Sequence, residues 1–192
     1  MTAKQGKVVV ITGPSGVGKS TIVREVLART GAGYSVSATT RRPRPGEVDG
    51  RDYRFLDRAT FDRMAAEGQM LEWAEVFGDR YGTPADFVRQ CRDAGRTVIL
   101  EIDVQGGIQV HRKMPEAVFV LILPPDEQTL RRRLSRRGTE DLQTVRRRLD
   151  KAAEEIRTAL DSGVYTHKVT NDDLEQAVEQ VVGIVRQETQ PR

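Results

Sequence analysis

The sequence predicts an α/β fold in which a mostly parallel β-sheet is covered by helices on both faces. Three short apolar segments, at 7–12, 97–102 and 117–123, have the composition of strands that are buried on both sides. Segments with the apolar spacing of helices follow the first and the third. Buried strands that alternate with helices are typical of parallel sheets, because the helices form the connections between neighbouring strands.

The first half of the chain begins with this alternation and then departs from it. After the strand at 7–12, a helix is predicted at about 19–29 and ends before Gly31. Its apolar face consists of Ile22, Val23, Val26 and Leu27. Residues 34–37 are predicted to form a second short strand. The segment 39–51 is rich in Arg, Pro and Gly, which excludes a regular element there.

The second half returns to the alternation. The strand at 117–123 ends at Pro124, and a helix begins at Asp126 with Leu130 and Leu134 on one face. The remaining predicted elements are a helix at about 142–160, a weak strand at 165–170 and a final helix at 172–187.

These elements indicate a single domain at 6–186. The interruption of the alternation predicts a lobe inserted at about 37–95 into a core formed by 6–36 and 96–186. The polar, Arg-bearing segment 136–148 is predicted to form a small lid.

The composition limits the classes of protein to which the chain can belong. It has 192 residues, of which 38% are hydrophobic and 31% charged, enough for one core and a well-hydrated surface. The formal net charge of +3 is small for a dedicated nucleic-acid-binding domain, so no nucleic-acid partner is expected. A single cysteine, no signal peptide and no apolar run of the ~18 residues that span a membrane predict a cytoplasmic protein without a membrane partner.

The segment after the first strand carries the strongest motif. The pattern G-x-x-x-x-G-K-[ST] is matched by Gly13, Pro14, Ser15, Gly16, Val17, Gly18, Lys19 and Ser20. Backbone N–H groups of such a loop surround phosphate oxygens, the Lys19 ammonium binds the β- and γ-phosphates, and the Ser20 hydroxyl binds Mg²⁺. The preceding strand and the following helix, whose positive dipole end faces the anion, make a chance match rare. The sequence therefore predicts a P-loop NTPase-type fold with a nucleoside triphosphate site, and the predicted contacts extend to Thr21.

A series of further motifs resembles one known family. They are SVSATTRRPRPGE at 35–47, GRDYRF at 50–55, LEWA at 71–74, YGT at 81–83, DVQG at 103–106, RRGT at 136–139 and TNDDL at 170–174. In these motifs and in their order the chain resembles the guanylate kinases, over about 7–185. The resemblance implies a transferase of purine nucleotide metabolism that moves the γ-phosphoryl group of ATP to GMP, and to dGMP, giving ADP and GDP. The inserted lobe is then expected to bind GMP.

Four residues of the lobe are candidates for binding the GMP phosphate. Arg41 and Arg44 are two guanidinium groups in a proline-bearing loop, a combination that suits bidentate phosphate contacts. The alternative for such arginines is a solvated surface. The resemblance implies that Tyr53 and Tyr81 add hydroxyl contacts, whereas each tyrosine by itself would be predicted to pack in a core.

The guanine base requires a different kind of contact. Guanine presents two adjacent donors, N1–H and the N2 amino group, which one carboxylate accepts side by side. Adenine leaves such a buried carboxylate unpaired, so an acid here discriminates strongly. The resemblance assigns this role to Glu72, with Asp103 nearby and with Ser37 and Thr83 contacting the base through their hydroxyls. Without the resemblance, Glu72 would be predicted to be a surface acid.

The remaining candidates lie on the ATP side. Glu101 lies at the end of the buried strand 97–102 and is predicted to bind Mg²⁺ through water, although the family usually has Asp at this position. The resemblance implies that Arg133, Arg137 and Arg148 close over the ATP phosphates, and that Asn171 lies near the adenine. The alternative for Asn171 is a turn residue or a helix N-cap before Asp172, a role that is compatible with a place near the adenine. The predicted catalytic residues are Lys19, Arg41, Arg137 and Arg148.

Three alternative functions remain open at this stage. The first is a guanylate-kinase-like binding module without useful catalysis, although such modules tend to have damaged phosphate loops. The second keeps the fold but replaces GMP by another phosphorylated small molecule, such as a ribose phosphate. The third is nucleic-acid binding, which would rest on the Arg-rich segment 131–148 alone. The sequence does not distinguish a monomer from a homo-oligomer.

Overall fold

The computed structural model describes residues 5–76, 78–135 and 142–189. The strands are β1 (Val8–Thr12), β2 (Gly33–Tyr34), β3 (Ala38–Thr39), β4 (Arg54–Phe55), β5 (Met70–Val76), β6 (Asp79–Pro84), β7 (Val98–Glu101), β8 (Val118–Leu123) and β9 (His167–Thr170). The helices are α1 (Lys19–Thr30), α2 (Arg58–Ala66), α3 (Ala85–Asp93), α4 (Val104–Lys113), α5 (Glu127–Ser135), α6 (Leu142–Asp161) and α7 (Leu174–Thr189).

The central sheet has five parallel strands in the order β2-β7-β1-β8-β9. All five carboxyl ends therefore lie at the same edge of the sheet. Among the five segments that leave this edge are the loop after β1, the residues after β7 and the residues after β9. In open parallel sheets this edge is where ligands bind.

The two faces of this sheet bury different clusters, because successive side chains of a strand point to opposite sides. Val8 and Val10 of β1 belong to the cluster that includes side chains of α3 and α4. Val9 and Ile11 belong to the cluster that includes side chains of α1 and α7. Helices therefore cover both faces, and the predicted fold class is confirmed.

A second sheet is formed between β2 and β7 in the chain. Its strand order is β4-β3-β6-β5, and the hairpin of β5 and β6 is its largest antiparallel pair. Phe61 of α2 and Met70 pack against Ala38 on one side of this sheet. The division into core, lobe and lid remains a prediction.

Several element predictions were wrong in detail. The strand predicted at 34–37 is only Gly33–Tyr34. The Ser35 N–H still bonds to Ile99, but the chain then leaves the central sheet for β3. The segment 39–51 was expected to be irregular throughout, yet Thr39 ends β3.

The last two predicted elements begin later than expected. The strand predicted from 165 begins at His167. The helix predicted from 172 begins at Leu174, because the Asp173 carboxylate caps it by accepting the Gln176 N–H at 2.9 Å. Among the helices of the described ranges, none is both long enough and apolar enough to cross a membrane.

Candidate active site

The phosphate loop connects β1 to α1 and requires its glycines. Gly13, Gly16 and Gly18 have φ values of 151°, 83° and 100°, in the region that favours glycine. A Cβ at Gly13 would lie 2.3 Å from the Ile122 carbonyl oxygen, and a Cβ at Gly18 would lie 2.5 Å from the Asn171 Nδ2. The loop is therefore held against β8 and against Asn171, the residue after β9. A side chain at Gly13 or Gly18 would displace it.

Lys19 turns its side chain back towards the loop. Its Nζ donates to the carbonyl oxygens of Gly13 at 2.5 Å and of Pro14 at 3.1 Å. The ammonium group is thereby held against the backbone of the loop, and loops of this type bind the phosphates of a nucleotide.

Ser20 lies beside the end of β7. Its hydroxyl donates to Oε1 of Glu101 at 2.6 Å, because the pairing of Ile11 with Glu101 aligns the ends of β1 and β7. A hydroxyl and a carboxylate are oxygen donors of the kind that Mg²⁺ prefers, and Mg²⁺ usually keeps several waters and binds phosphate oxygens as well. These two residues fit a Mg²⁺ site.

Burial, and then the nearby Glu101 carboxylate, raise the pKa of the Tyr34 phenol well above its usual range.

Two side chains meet at the carbonyl oxygen of Val17. Asn171 Nδ2 donates to it at 2.7 Å, and Arg133 of α5 donates to it at 3.3 Å. The Asn171 backbone N–H also bonds to the Leu123 carbonyl. The alternative of a helix N-cap is therefore wrong for Asn171, whose side chain faces the phosphate loop while Asp173 caps α7. The Asn171 Oδ1 is buried without a hydrogen-bond partner among the described residues.

Helix α6 brings two further groups to the loop. Arg148 donates to the Ser15 hydroxyl at 3.0 Å. Glu155, two turns further along, was not predicted from the sequence. Burial raises the pKa of its carboxyl, whereas Lys19, Lys151 and the Ser15 N–H act in the opposite direction. Arg137 and the first part of the predicted lid, 136–141, lie outside the described residues.

Arg41 is the centre of the candidate phosphate site in the second sheet. Its Nε donates to the Tyr81 hydroxyl at 3.1 Å, and its guanidinium lies 5.4 Å from the centre of the Tyr53 ring. Glu47, which was not predicted as a site residue, accepts from Arg41 at 2.9 Å, and this hydrogen bond lowers the pKa of Glu47. Arg44 is exposed in the same loop, where its backbone N–H donates to Glu47. The structure thus brings Arg41, Tyr53 and Tyr81 together, with Arg44 beside them.

Glu72 is a buried acid rather than the surface acid that its local sequence suggests. Only 4% of it is exposed, and the Thr83 hydroxyl donates to its Oε1 at 2.7 Å. Burial raises the pKa of Glu72 to about 7; the Thr83 hydrogen bond acts against this shift, and Asp103 adds to it. A Cβ at Gly106 of α4 would lie 2.6 Å from the Glu72 Oε2, so α4 approaches the carboxylate closely.

Asp103 and Ser37 complete the candidate base site. Asp103 caps α4 by accepting the Gly106 N–H at 2.7 Å. Ser37 is buried next to β3, and its carbonyl oxygen accepts the Arg54 N–H. Thr83 and Tyr81 lie two residues apart in β6, so their side chains point to the same face of that strand. One strand therefore connects the buried acid with the Arg41 cluster.

Comparisons with known proteins agree with this geometry. A sequence-family model described as "Guanylate kinase" matches residues 5–188. The chain is 49% identical over 184 residues to a guanylate kinase of Rubrobacter xylanophilus, with 95% of each chain covered. It is 47% identical over 186 residues to a guanylate kinase of Lactococcus lactis, with 96% of this chain and 89% of the relative covered. A crystal structure of guanylate kinase from Anaplasma phagocytophilum superposes with a TM-score of 0.81 at 34% identity, covering 100% of this chain and 90% of that one.

Proposed function

Because this chain belongs to the guanylate kinase family, we propose that its site consists of an ATP half on the central sheet and a GMP half on the second sheet. The chain transfers the γ-phosphoryl group of ATP to GMP and releases ADP and GDP. We propose the following roles for its individual residues.

In the ATP half, the loop from Gly13 to Ser20 surrounds the phosphates, and Lys19 neutralises the β- and γ-phosphates. The support for this role is that the Lys19 ammonium already lies at the loop, bonded to the carbonyl oxygens of Gly13 and Pro14. Arg133 and Arg148 reach the same loop from α5 and α6, and Arg137 is assigned to the lid. Asn171 contacts the loop at Val17 and is assigned to the adenine side.

The Ser20 hydroxyl and the Glu101 carboxylate, 2.6 Å apart, hold Mg²⁺ in this proposal, Glu101 through a water molecule. When bound there, Mg²⁺ would neutralise negative charge on the phosphate oxygens of the nucleotide. Glu101 is longer than the Asp usual in the family, and its reach to Ser20 supports the assignment.

In the GMP half, Arg41, Arg44, Tyr53 and Tyr81 bind the phosphate of GMP. The carboxylate form of Glu72 accepts the N1–H and N2–H of guanine, and Thr83 and Ser37 contact the base with their hydroxyls. Asp103 lies beside the base at the start of α4. A phosphate oxygen of GMP then forms a bond to the γ-phosphorus, the bond from the γ-phosphorus to the bridging oxygen breaks, and the electron pair leaves on ADP.

The observation that carries this assignment is the arrangement on β6. Tyr81 contacts Arg41, and Thr83 contacts Glu72, from the same face of one strand. The phosphate-binding group Arg41 and the acid Glu72, which accepts hydrogen bonds from the base, are therefore held at a fixed separation. A single nucleoside monophosphate that binds to both requires such a separation.

The assignment is tested with Arg41→Met, compared with Arg42→Met in the same loop. We expect Arg41→Met to raise the KM for GMP by about 30-fold or more, because charge-assisted phosphate contacts are lost, and to leave the KM for ATP within about twofold. Arg42 is exposed, and its side chain should matter little. Equal KM values for GMP in the two variants would contradict the assignment.

A further inference from the structure

Two side chains of α4 form hydrogen bonds with the backbone of β5 on either side of Glu72. The Gln109 Nε2 donates to the Trp73 carbonyl oxygen at 2.8 Å, and its Oε1 accepts the Trp73 N–H at 3.4 Å. The Lys113 Nζ donates to the Leu71 carbonyl oxygen at 2.5 Å. One helix that covers the central sheet thus bonds to the residues that directly precede and follow Glu72.

These contacts satisfy the open edge of the second sheet. β5 is the last strand in the order β4-β3-β6-β5, so the polar groups of alternate residues point away from β6. Trp73 is such a residue, and Leu71 lies at the register shift between Met70 and Glu72, where its carbonyl oxygen is bonded by Lys113. Gln109 and Lys113 therefore bond to backbone groups of β5 that would otherwise be open to pairing with a further strand.

The spacing of the helix matches the spacing of the strand. Gln109 and Lys113 are four residues apart, about 6 Å along a helix axis, and Trp73 and Leu71 are two residues apart, about 6.6 Å along a strand. Gly106 lies on the same face of α4, one turn before Gln109, and faces the Glu72 Oε2. A single face of α4 therefore contacts both the backbone around Glu72 and its carboxylate.

We propose that Gln109 and Lys113 are positioning residues that hold the Glu72 carboxylate in register for reading the guanine base. This inference rests on the proposed role of Glu72. Neither residue needs to touch GMP; they fix the segment that carries the acid relative to Asp103 and Gly106. Because both contacts go to main-chain atoms, their loss shifts the segment that carries the Glu72 side chain. Lys113 has a second effect, since its positive charge lowers the pKa of Glu72, whereas the Gln109 contact is uncharged.

The test compares GMP with IMP, which lacks the N2 amino group but keeps the phosphate, the ribose and N1–H. The ratio of kcat/KM for GMP to that for IMP reports on how well the acid reaches N2–H. We expect Gln109→Glu to lower this ratio by about fivefold or more, because the new carboxylate repels the Trp73 carbonyl oxygen and the segment shifts. The KM for GMP should rise, and the KM for ATP should stay within about twofold.

Lys113→Met provides a second variant, in case Gln109→Glu does not fold. Its matched control is Arg112→Met, which removes the same charge from an exposed neighbour on α4. Lys113→Met should also lower the GMP-to-IMP ratio, and Arg112→Met should leave it unchanged. A contact that only stabilises the fold would lower the thermal midpoint and the rates with both nucleotides equally, so an unchanged ratio in a folded variant would overturn the inference.

A parallel measurement with Glu72→Gln separates this inference from the role of Glu72 itself. If Glu72→Gln leaves the ratio at its wild-type value, the proposed role of Glu72 fails, and the inference fails with it. If Glu72→Gln lowers the ratio but the Gln109 and Lys113 variants do not, the role of Glu72 stands and the positioning role is refuted.

Discussion

The buried acid Glu72 gives a prediction about stability as well as about activity. Burial raises its pKa from the ordinary 4.5 to about 7. An acid whose pKa is higher in the folded state binds its proton more tightly there, so its contribution to stability is complete below about pH 4.5 and is lost as the pH rises through about 7. A rise in pKa from 4.5 to about 7 corresponds to about 3 kcal/mol of unfolding free energy.

The perturbation is Glu72→Gln, which keeps an oxygen to accept the Thr83 hydroxyl but does not titrate. Relative to the wild type, the variant should gain up to about 3 kcal/mol of stability between about pH 4.5 and pH 8. Urea unfolding at several pH values, followed by circular dichroism, measures the difference. Because Glu72 must be charged to accept two donors from guanine, the wild-type kcat/KM for GMP should rise over the same range.

A difference in stability between wild type and Glu72→Gln that does not change from about pH 4.5 to pH 8 would refute the reasoning. It would mean that Glu72 titrates as an ordinary solvated acid. A parallel fall in kcat/KM for GMP with rising pH would equally contradict the role of its charged form. We therefore expect ionisation of Glu72 to lower the stability of the protein and to raise its activity. Opposite effects of this kind are expected of a functional acid in a buried site.

Three shorter predictions follow from the same contacts. Lys19→Ala should lower kcat by more than about tenfold in a steady-state assay, because charge on the transferring group is no longer neutralised, and a smaller loss would count against its role. Gly106→Ala should raise the KM for GMP about tenfold, since its Cβ would lie 2.6 Å from the Glu72 Oε2, whereas Gly183→Ala, whose Cβ would meet no group outside its own helix backbone within 4 Å, should not. Glu101→Gln should raise the Mg²⁺ concentration needed for half-maximal rate at fixed nucleotide, and an unchanged Mg²⁺ titration would remove Glu101 from the metal site.

The ATP half could be predicted from local sequence, because its chemistry is carried by consecutive residues. A strand, a glycine-rich turn with Lys19 and Ser20, and a helix are all visible within 7–29. The contact between Ser20 and Glu101 also follows from the fold class, since neighbouring parallel strands end at one edge.

The GMP half could not be derived in this way. Glu72 is polar in a strand whose other end is exposed, and only the pairing with Thr83 and the approach of α4 bury it. These contacts join residues far apart in sequence, so the resemblance to a family identified Glu72 where local pattern did not. The two-residue strands β3 and β4 likewise have no periodicity to detect.

The residues that the sequence did not reveal act through tertiary contacts alone. Gln109 and Lys113 look like ordinary polar positions of an amphipathic helix until β5 is placed beside them. Glu155 looks like one of several charges on α6, and only the approach of the phosphate loop distinguishes it. Glu47 appears in the quoted motif, but its bond to Arg41 depends on the turn of the loop.

The most direct test of the account is a coupled assay of ADP release with ATP, Mg²⁺ and each of GMP, AMP, CMP and UMP. We expect strong turnover with GMP and far weaker turnover with the other three, because only guanine presents two adjacent donors to the buried Glu72. Absence of turnover with GMP in folded protein, or equal turnover with AMP, would contradict it.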